Sequence, residues 1–255
     1  MINTFDQHLV SIITPAFNAA NYVEATIASV LAQSHTHWEM LIVDDCSNDN
    51  TAEIVERAAA MDPRVRLIRQ SKNSGPAAAR NSALEAAKGR WIAFLDSDDL
   101  WLPQKLESQL TFQRSHLAKV TFTAFRRITS EGLQTGRLIN IPDRVSYWQL
   151  LGNTVIATST VMVDREISGE FRMKAMYYDD FGCWLDLLRG GDIALGLQND
   201  LMRYRVVNQS VSRNKKNSAR QVWRTYRTIE GFGFLRASWY FANYAVNGYF
   251  KYRRF

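Results

Sequence analysis

Asp96, Ser97, Asp98 and Asp99 follow directly on the apolar run Trp91–Leu95. A short apolar run bounded by polar residues reads as a buried strand, so these carboxylates arrive together at one edge of a sheet. Crowded carboxylates raise one another's pKa unless positive charge sits among them. A divalent cation that carries a phosphorylated ligand meets that need, because Mg2+ takes one or two carboxylates plus phosphate oxygens. An Asp-rich turn with a helix cap would use the same residues. The choice depends on what else reaches that edge.

The elements that position this cluster alternate. Val10–Phe17 reads as a strand, stopped by Pro15 and Asn18. Asn21 is placed to cap a helix with Val23, Ile27, Val30 and Leu31 on one face. Trp38–Val43 is a second strand, Thr51–Met61 a second helix and Val65–Ile68 a third strand. Pro76–Ala87 is a third helix with proline in its first turn, closed by Gly89 ahead of the Trp91–Leu95 strand. Such alternation implies an α/β fold with a central, mostly parallel sheet flanked by helices, whose ligands bind beyond the carboxyl ends of the strands. Those ends carry Thr14-Pro15-Ala16-Phe17-Asn18, Asp44-Asp45-Cys46-Ser47, Gln70–Gly75 and Asp96–Asp99. Four polar clusters on one edge favour a binding site over a cap.

Beyond residue 100 the pattern loosens. Helices are expected over Pro103–Ser115 and Phe181–Leu188, the latter entered through Tyr177-Tyr178-Asp179-Asp180. Strands are expected over Val120–Ile128, Val155–Val163, Ile193–Leu197 and Met202–Val207. With no linker between the halves, residues 1–218 are expected to form one domain of two halves, 1–100 and 101–218. Residues 219–255 form a helical extension.

Charge separates that extension from the body. Its seven basic residues face a single acid, Glu230, which accounts for the whole net charge of +6; the remaining 24 basic and 24 acidic residues cancel. Twelve aromatic residues from Trp223 to Phe255 are interleaved with the Arg and Lys side chains. That mixture suits a helix in an anionic membrane interface, where each basic residue contributes about 1 kcal/mol. A helix packed on the body with its basic face in solvent is the alternative, and no motif supports a nucleic-acid partner. Two cysteines far apart imply neither a disulfide framework nor a metal site. Met1–Leu9 lacks the apolar core of a signal peptide, and no apolar run is long enough to span a bilayer. A cytoplasmic location at the inner face of the membrane is expected.

Together these motifs resemble the inverting family-2 glycosyltransferases of GT-A fold, over about residues 9–210. Val10–Asn18 is similar to that family's opening strand and Trp38–Thr51 to its second strand and turn. Asn73–Asn81 is similar to its Gly-containing loop with a following Arg, and Asp96–Pro103 to its metal motif. The resemblance implies that Thr14, Pro15, Ala16, Phe17 and Asn18 surround a nucleotide base, Phe17 by stacking. It implies that Asp45 accepts a uracil imide N–H, and that Gly75, Arg80 and Lys72 lie by the base or diphosphate. It implies Asp98 as the ligand of Mn2+ or Mg2+, with Asp96 and Ser97 at the ribose or positioning the loop. Val207 stands where many members carry a metal-reaching His, so Asn208, Gln209 or water would complete the shell.

The second acid of Asp179-Asp180 is expected to deprotonate the acceptor hydroxyl. Shielding by Phe181 and Trp184 would bring the Asp180 carboxyl toward a base's working range. Both acids could instead cap the helix. Asp99, Trp184 and Arg205 are expected at the acceptor, with sugar specificity residing in Arg126–Ser159. The resemblance further implies a UDP-linked sugar donor and an acceptor glycan on a polyprenyl diphosphate, in bacterial surface polysaccharide synthesis. A sugar nucleotidyltransferase would need a Gly- and Lys-rich N-terminal loop, and Val10–Asn18 has no Gly, Lys or Arg. A phospho-receiver module would be about half this length, and a silent binding subunit has no need of Asp98 and Asp180. A dinucleotide enzyme is excluded because no Gly-x-Gly-x-x-Gly follows the first strand.

Overall fold

The structure, a computed structural model, describes the backbone of residues 6–174, 179–207 and 215–252, and the side chains of all of these except 215–218 and 248–252. The first half runs β1 (Asp6–Ala16), α1 (Val23–Leu31), β2 (Trp38–Asp44), α2 (Thr51–Met61), β3 (Val65–Arg69), α3 (Pro76–Ala86) and β4 (Gly89–Phe94). Then come β5 (Leu100–Trp101), α4 (Lys105–Ser115), β6 (Val120–Ile128), β7 (Thr135–Ile139), β8 (Arg144–Ser146) and α5 (Tyr147–Gly152). After a 3-10 turn (Thr158–Thr160) follow β9 (Met162–Asp164), α6 (Arg165–Ser168), α7 (Asp179–Leu188) and β10 (Ile193–Arg205). The chain closes with α8 (Lys215–Arg224), a π turn (Thr225–Ile229) and α9 (Phe234–Tyr252).

One sheet carries the fold, in the order β3-β2-β1-β4-β9-β6-β10-β5, with β7 beside β6 and β8 beside β10. The first four strands are parallel, as the alternation predicts. β9 runs antiparallel between β4 and β6, so the second half is mixed. β6 and β10 are parallel to each other and, across β9, to β4, so the Arg205 end of β10 falls on the same edge as the Asp96 cluster. Residue alternation assigns the two faces. Ile13, Leu41, Val43, Ile92 and Phe94 pack beneath α3, α5 and α7; Val10, Ile12, Met40, Ile42 and Trp91 pack beneath α1 and α4.

Several local expectations are corrected. Val155–Val163 is not one strand: its Ala157–Thr160 portion turns, and only Met162–Asp164 pairs. Ile193–Leu197 and the expected strand from Met202 merge into a single strand that is irregular around Asp200 and ends at Arg205, short of Val206 and Val207. Gly89 does not close α3. It opens β4, where a Cβ would stand 2.4 Å from the Leu9 carbonyl oxygen of β1. The residue flanking α1 is Tyr22, with no side-chain cap from Asn21. α5 went unread although its Ser146 and Gln149 form a reciprocal capping box.

The basic tail folds back on the body. Val222, Tyr226, Phe232 and Ala237 are buried in the same core as α5 and α7. Its one acid is pinned to the body: Glu230 accepts from Arg189 at 2.8 and 2.9 Å and from the Tyr147 hydroxyl. Tyr226 donates to the Leu151 carbonyl. The tail side chains from Tyr249 onward lie outside the described residues. Among the described residues no helix is long and apolar enough to cross a membrane.

Candidate active site

The site forms where β1, β2 and β4 end. Asp45 follows β2 and receives Ser74 N–H on Oδ1 and Gly75 N–H on Oδ2, both at 2.8 Å. Gly75 adopts φ +85°, a left-handed conformation that costs glycine little, and this turns successive N–H groups toward one carboxylate. Asp45 therefore holds the loop that starts α3. It is buried with both oxygens accepting, so any role at a nucleobase comes in addition to this one. Asn18, at φ +50°, orders the neighbouring loop by accepting Asn48 N–H at 2.9 Å.

Thr14 and Ala16 do not line an open surface, contrary to expectation. Both side chains are buried, and the Thr14 hydroxyl has no hydrogen-bond partner. Phe17, at 46%, and Asn18 are the exposed members of the run. Lys72 is exposed, and Pro15 and Ser97 are half-buried on the same edge.

Arg80 differs most from expectation. It is neither a surface residue nor a free donor to a nucleotide: it is 6% exposed, and its two terminal nitrogens bind carboxylates. Nη2 donates to Asp96 Oδ1 at 2.5 Å and Nη1 to Asp179 Oδ2 at 2.7 Å. Burial alone would lower its pKa, but Asp96, Asp179 and Asp180 around it outweigh burial and raise it. One helix residue thus ties the end of β4 to the start of α7.

Asp98 is pushed up to about 6 by burial first and by Asp96 second. Asp99 is buried, and its pKa is raised well above the usual carboxylate range by burial, Asp98 and Asp96. Its Oδ1 accepts Arg205 N–H at 2.9 Å, and the Ser159 side chain also acts on this carboxyl. Arg205 Nε donates to the Asp98 carbonyl at 2.8 Å and Nη1 to the Ser130 carbonyl at 2.7 Å. Asp99 and Arg205 therefore shape the Asp96–Asp99 turn from beneath and are spent as acceptor contacts. Trp184 is corrected for another reason. It is 1% exposed and packs edge-on against Phe94, so it belongs to the core, as does Phe181.

Asp180 stands half-exposed in the first turn of α7. Its Oδ2 accepts from Thr158 Oγ1 at 2.6 Å and its Oδ1 from Phe181 N–H at 2.7 Å. The adjacent Ser159 Oγ accepts Asp96 N–H at 3.0 Å, and its carbonyl accepts Trp101 Nε1–H at 2.8 Å. Thr158 and Ser159, unread as site residues, therefore link the Asp96 turn to Asp180. The only available signal was a Thr-Ser-Thr run too polar for a buried strand.

The oxygen donors Asp96 and Asp98 suit a hard divalent cation, and the repulsion that raises Asp98 is what such a cation relieves. Among the described residues no three His, Cys, Asp or Glu side chains form a complete cage. Mg2+ or Mn2+ would need substrate phosphate or water for its remaining positions. Tyr177, Tyr178, Asn208 and Gln209 lie outside the described residues.

Comparisons with known proteins bear on the family and the fold. The chain is 45% identical over 240 residues to TuaG of Bacillus subtilis (strain 168), whose name assigns it to teichuronic acid biosynthesis as a glycosyltransferase; the match covers 94% of this chain and 95% of TuaG. It is 34% identical over 245 residues to WfgD of Escherichia coli, named a UDP-Glc:alpha-D-GlcNAc-diphosphoundecaprenol beta-1,3-glucosyltransferase, covering 95% and 94%. The fold resembles that of the mannosyltransferase PcManGT from Pyrobaculum calidifontis, solved with GDP-Man and Mn2+, with TM-score 0.69, 18% identity and coverage of 96% and 75%. The family model for Glycosyl transferase family 2 matches residues 11–176. With a GT-A sheet, a carboxylate turn at its edge and a second acid pair facing it, the chain belongs to glycosyltransferase family 2.

Proposed function

We propose that this enzyme moves a sugar from a uridine-diphosphate donor to a carbohydrate acceptor carried on a lipid diphosphate, building a bacterial surface polysaccharide. The observation that carries the mechanism is the Arg80 bridge, which sets the Asp96–Asp98 turn beside the Asp179-Asp180 pair. The turn meets the leaving diphosphate and the pair meets the incoming hydroxyl.

Asp180 takes the proton of the acceptor hydroxyl. The acceptor oxygen bonds to the anomeric carbon as that carbon's bond to the diphosphate oxygen breaks, and the nucleoside diphosphate leaves with the electron pair. Attack from the face opposite the leaving group inverts the anomeric centre and requires no covalent enzyme intermediate. Thr158 holds Asp180 with one oxygen fixed. A Mn2+ or Mg2+ held by Asp98, with Asp96 beside it, would neutralise charge on the leaving diphosphate. Phe17 offers the base an exposed ring to stack on.

Uridine and a lipid-linked acceptor are supported by WfgD, whose name specifies both. The divalent cation is supported by Mn2+ in PcManGT. Peripheral attachment to the inner face of the membrane is supported by the outer stripe of α9, where Leu235 and Val246 are exposed in the basic tail.

A donor screen by mass spectrometry, with and without Mn2+, tests the reading. UDP-sugars should be hydrolysed slowly without acceptor, and Asp180→Asn should lower transfer by about 10^2–10^4-fold while UDP binding persists. Near-normal transfer by Asp180→Asn would refute the assignment of the base.

A further inference from the structure

An open cleft of about 360 Å³ lies between α5 and α9, outside the carboxylate site. Trp148 and Trp239 are its aromatic walls, and Asn153, Asn243, Asn247 and Arg144 bring polar groups to it. We propose that this cleft is a saccharide-binding subsite, which holds the part of the acceptor glycan remote from the reacting hydroxyl. The proposal rests on the acceptor being a carbohydrate, as argued above.

The walls are built in advance. Trp148 is 51% exposed, yet its indole is fixed on several sides. Tyr240 stacks at 6.4 Å and 18°, Tyr147 meets it edge-on at 4.7 Å, and the Arg236 guanidinium lies 4.8 Å from its ring centre. Trp239 is 68% exposed. Two of the amides are also fixed: Asn247 Nδ2 donates to the Gly152 carbonyl at 3.0 Å and Asn243 Nδ2 to the Trp239 carbonyl at 2.8 Å. Each is left with a side-chain oxygen that can accept from a ligand hydroxyl.

An indole held in place by its neighbours, a second exposed indole and oriented carboxamides match a pyranose ring, which has an apolar C–H face and a rim of hydroxyls. A lipid chain matches the cleft poorly, because it would desolvate these amides without bonding to them. The position fits as well. Asn153 in the cleft is five residues from Thr158, which binds Asp180, so the Cα atoms of Asn153 and Thr158 are at most about 18 Å apart. A glycan a few rings long could end at Asp180 and rest its remote rings on Trp148.

Saturation-transfer NMR and tryptophan fluorescence on the full chain, with methyl β-glucoside, methyl α-N-acetylglucosaminide and dodecyl phosphate as probes, decide the matter. At least one glycoside should bind. Trp148→Ala and Asn153→Ala should each weaken that binding about five-fold or more, and Trp148→Phe should restore part of it. Asp180→Asn should leave it unchanged. In transfer assays Trp148→Ala should raise KM for an oligosaccharide acceptor about ten-fold, with kcat and UDP-sugar hydrolysis unaffected. The proposal is overturned if no glycoside binds, if glycoside binding ignores both cleft variants, or if dodecyl phosphate alone responds to them. Failure of the transferase reading would show separately, as an absence of UDP-sugar hydrolysis with glycoside binding intact.

Discussion

Arg80 and Asp179 are 99 residues apart in the chain and 2.7 Å apart in the fold, joined by a buried hydrogen bond between opposite charges. The same guanidinium holds Asp96, so one side chain touches both the metal-type turn and the acid pair. Two neighbouring carboxylates repel each other unless one binds a proton or a cation sits between them. Arg80 supplies this with a planar fork that a flexible ammonium cannot reproduce.

Arg80→Met should therefore be among the most damaging single changes. It strands Asp96 and Asp179 without a counter-charge, and loss of one partner of a buried pair costs about 3–5 kcal/mol. Denaturant unfolding should show that loss. Arg80→Lys should recover much of the stability but little of the turnover, because one ammonium cannot hold both carboxylates at their present separation. If Arg80→Lys turns over normally, the bridge does not position the site.

Thr158 should act through Asp180. Thr158→Val removes the hydroxyl that donates to Asp180 Oδ2 at 2.6 Å, and a hydrogen bond to a charged group contributes about 1.5–3 kcal/mol. Turnover should fall about ten-fold or more with little change in KM for the donor, and Thr158→Ser should restore it. An equal rise in donor KM would instead place Thr158 at the nucleotide.

The legible and illegible parts of the chain differ in physical kind. Local period and turn chemistry placed α1–α3, β1–β4 and the acidic turn, because each is dictated by its own residues. The partners of Arg80, Asp99 and Arg205 were illegible because their bonds cross 16 to 107 positions of sequence. Trp184 carried no mark separating a core indole from an exposed one. Thr158 and Ser159 lie in a run whose β-propensity suggests a strand, but of that run only Met162 and Val163 belong to β9, which pairs with both β4 and β6. Propensity yielded there to tertiary pairing.

Membrane attachment makes a prediction about α9. Leu235, Ala242 and Val246 recur at helical spacing on its outer face, and Arg220, Arg224 and Arg236 are exposed nearby in sequence. The chain should co-sediment with vesicles containing anionic lipid, less so as salt rises, and only slightly with neutral vesicles. Leu235→Glu with Val246→Glu should release it while leaving UDP binding intact. Unchanged sedimentation of that double variant would show that α9 is not the attachment surface.

Lys105 offers a test by pH. It is 0% exposed at the start of α4, its Nζ has no hydrogen-bond partner and burial lowers its pKa well below the ordinary lysine range. The Trp101 ring, 3.7 Å from Nζ, offsets only part of the cost of charging it there. Because the folded pKa is depressed, the unfolded chain binds the extra proton between the two pKa values, and stability rises with pH across that window. Lys105→Met fills the same space without the amine and should stabilise the fold at neutral pH by about 1–3 kcal/mol. The gain should shrink as pH rises and vanish above the unfolded lysine pKa of about 10.4. Unfolding curves of both proteins at pH 7, 9 and 10.5 measure it, and a gain independent of pH would mean that packing rather than the buried amine sets the difference.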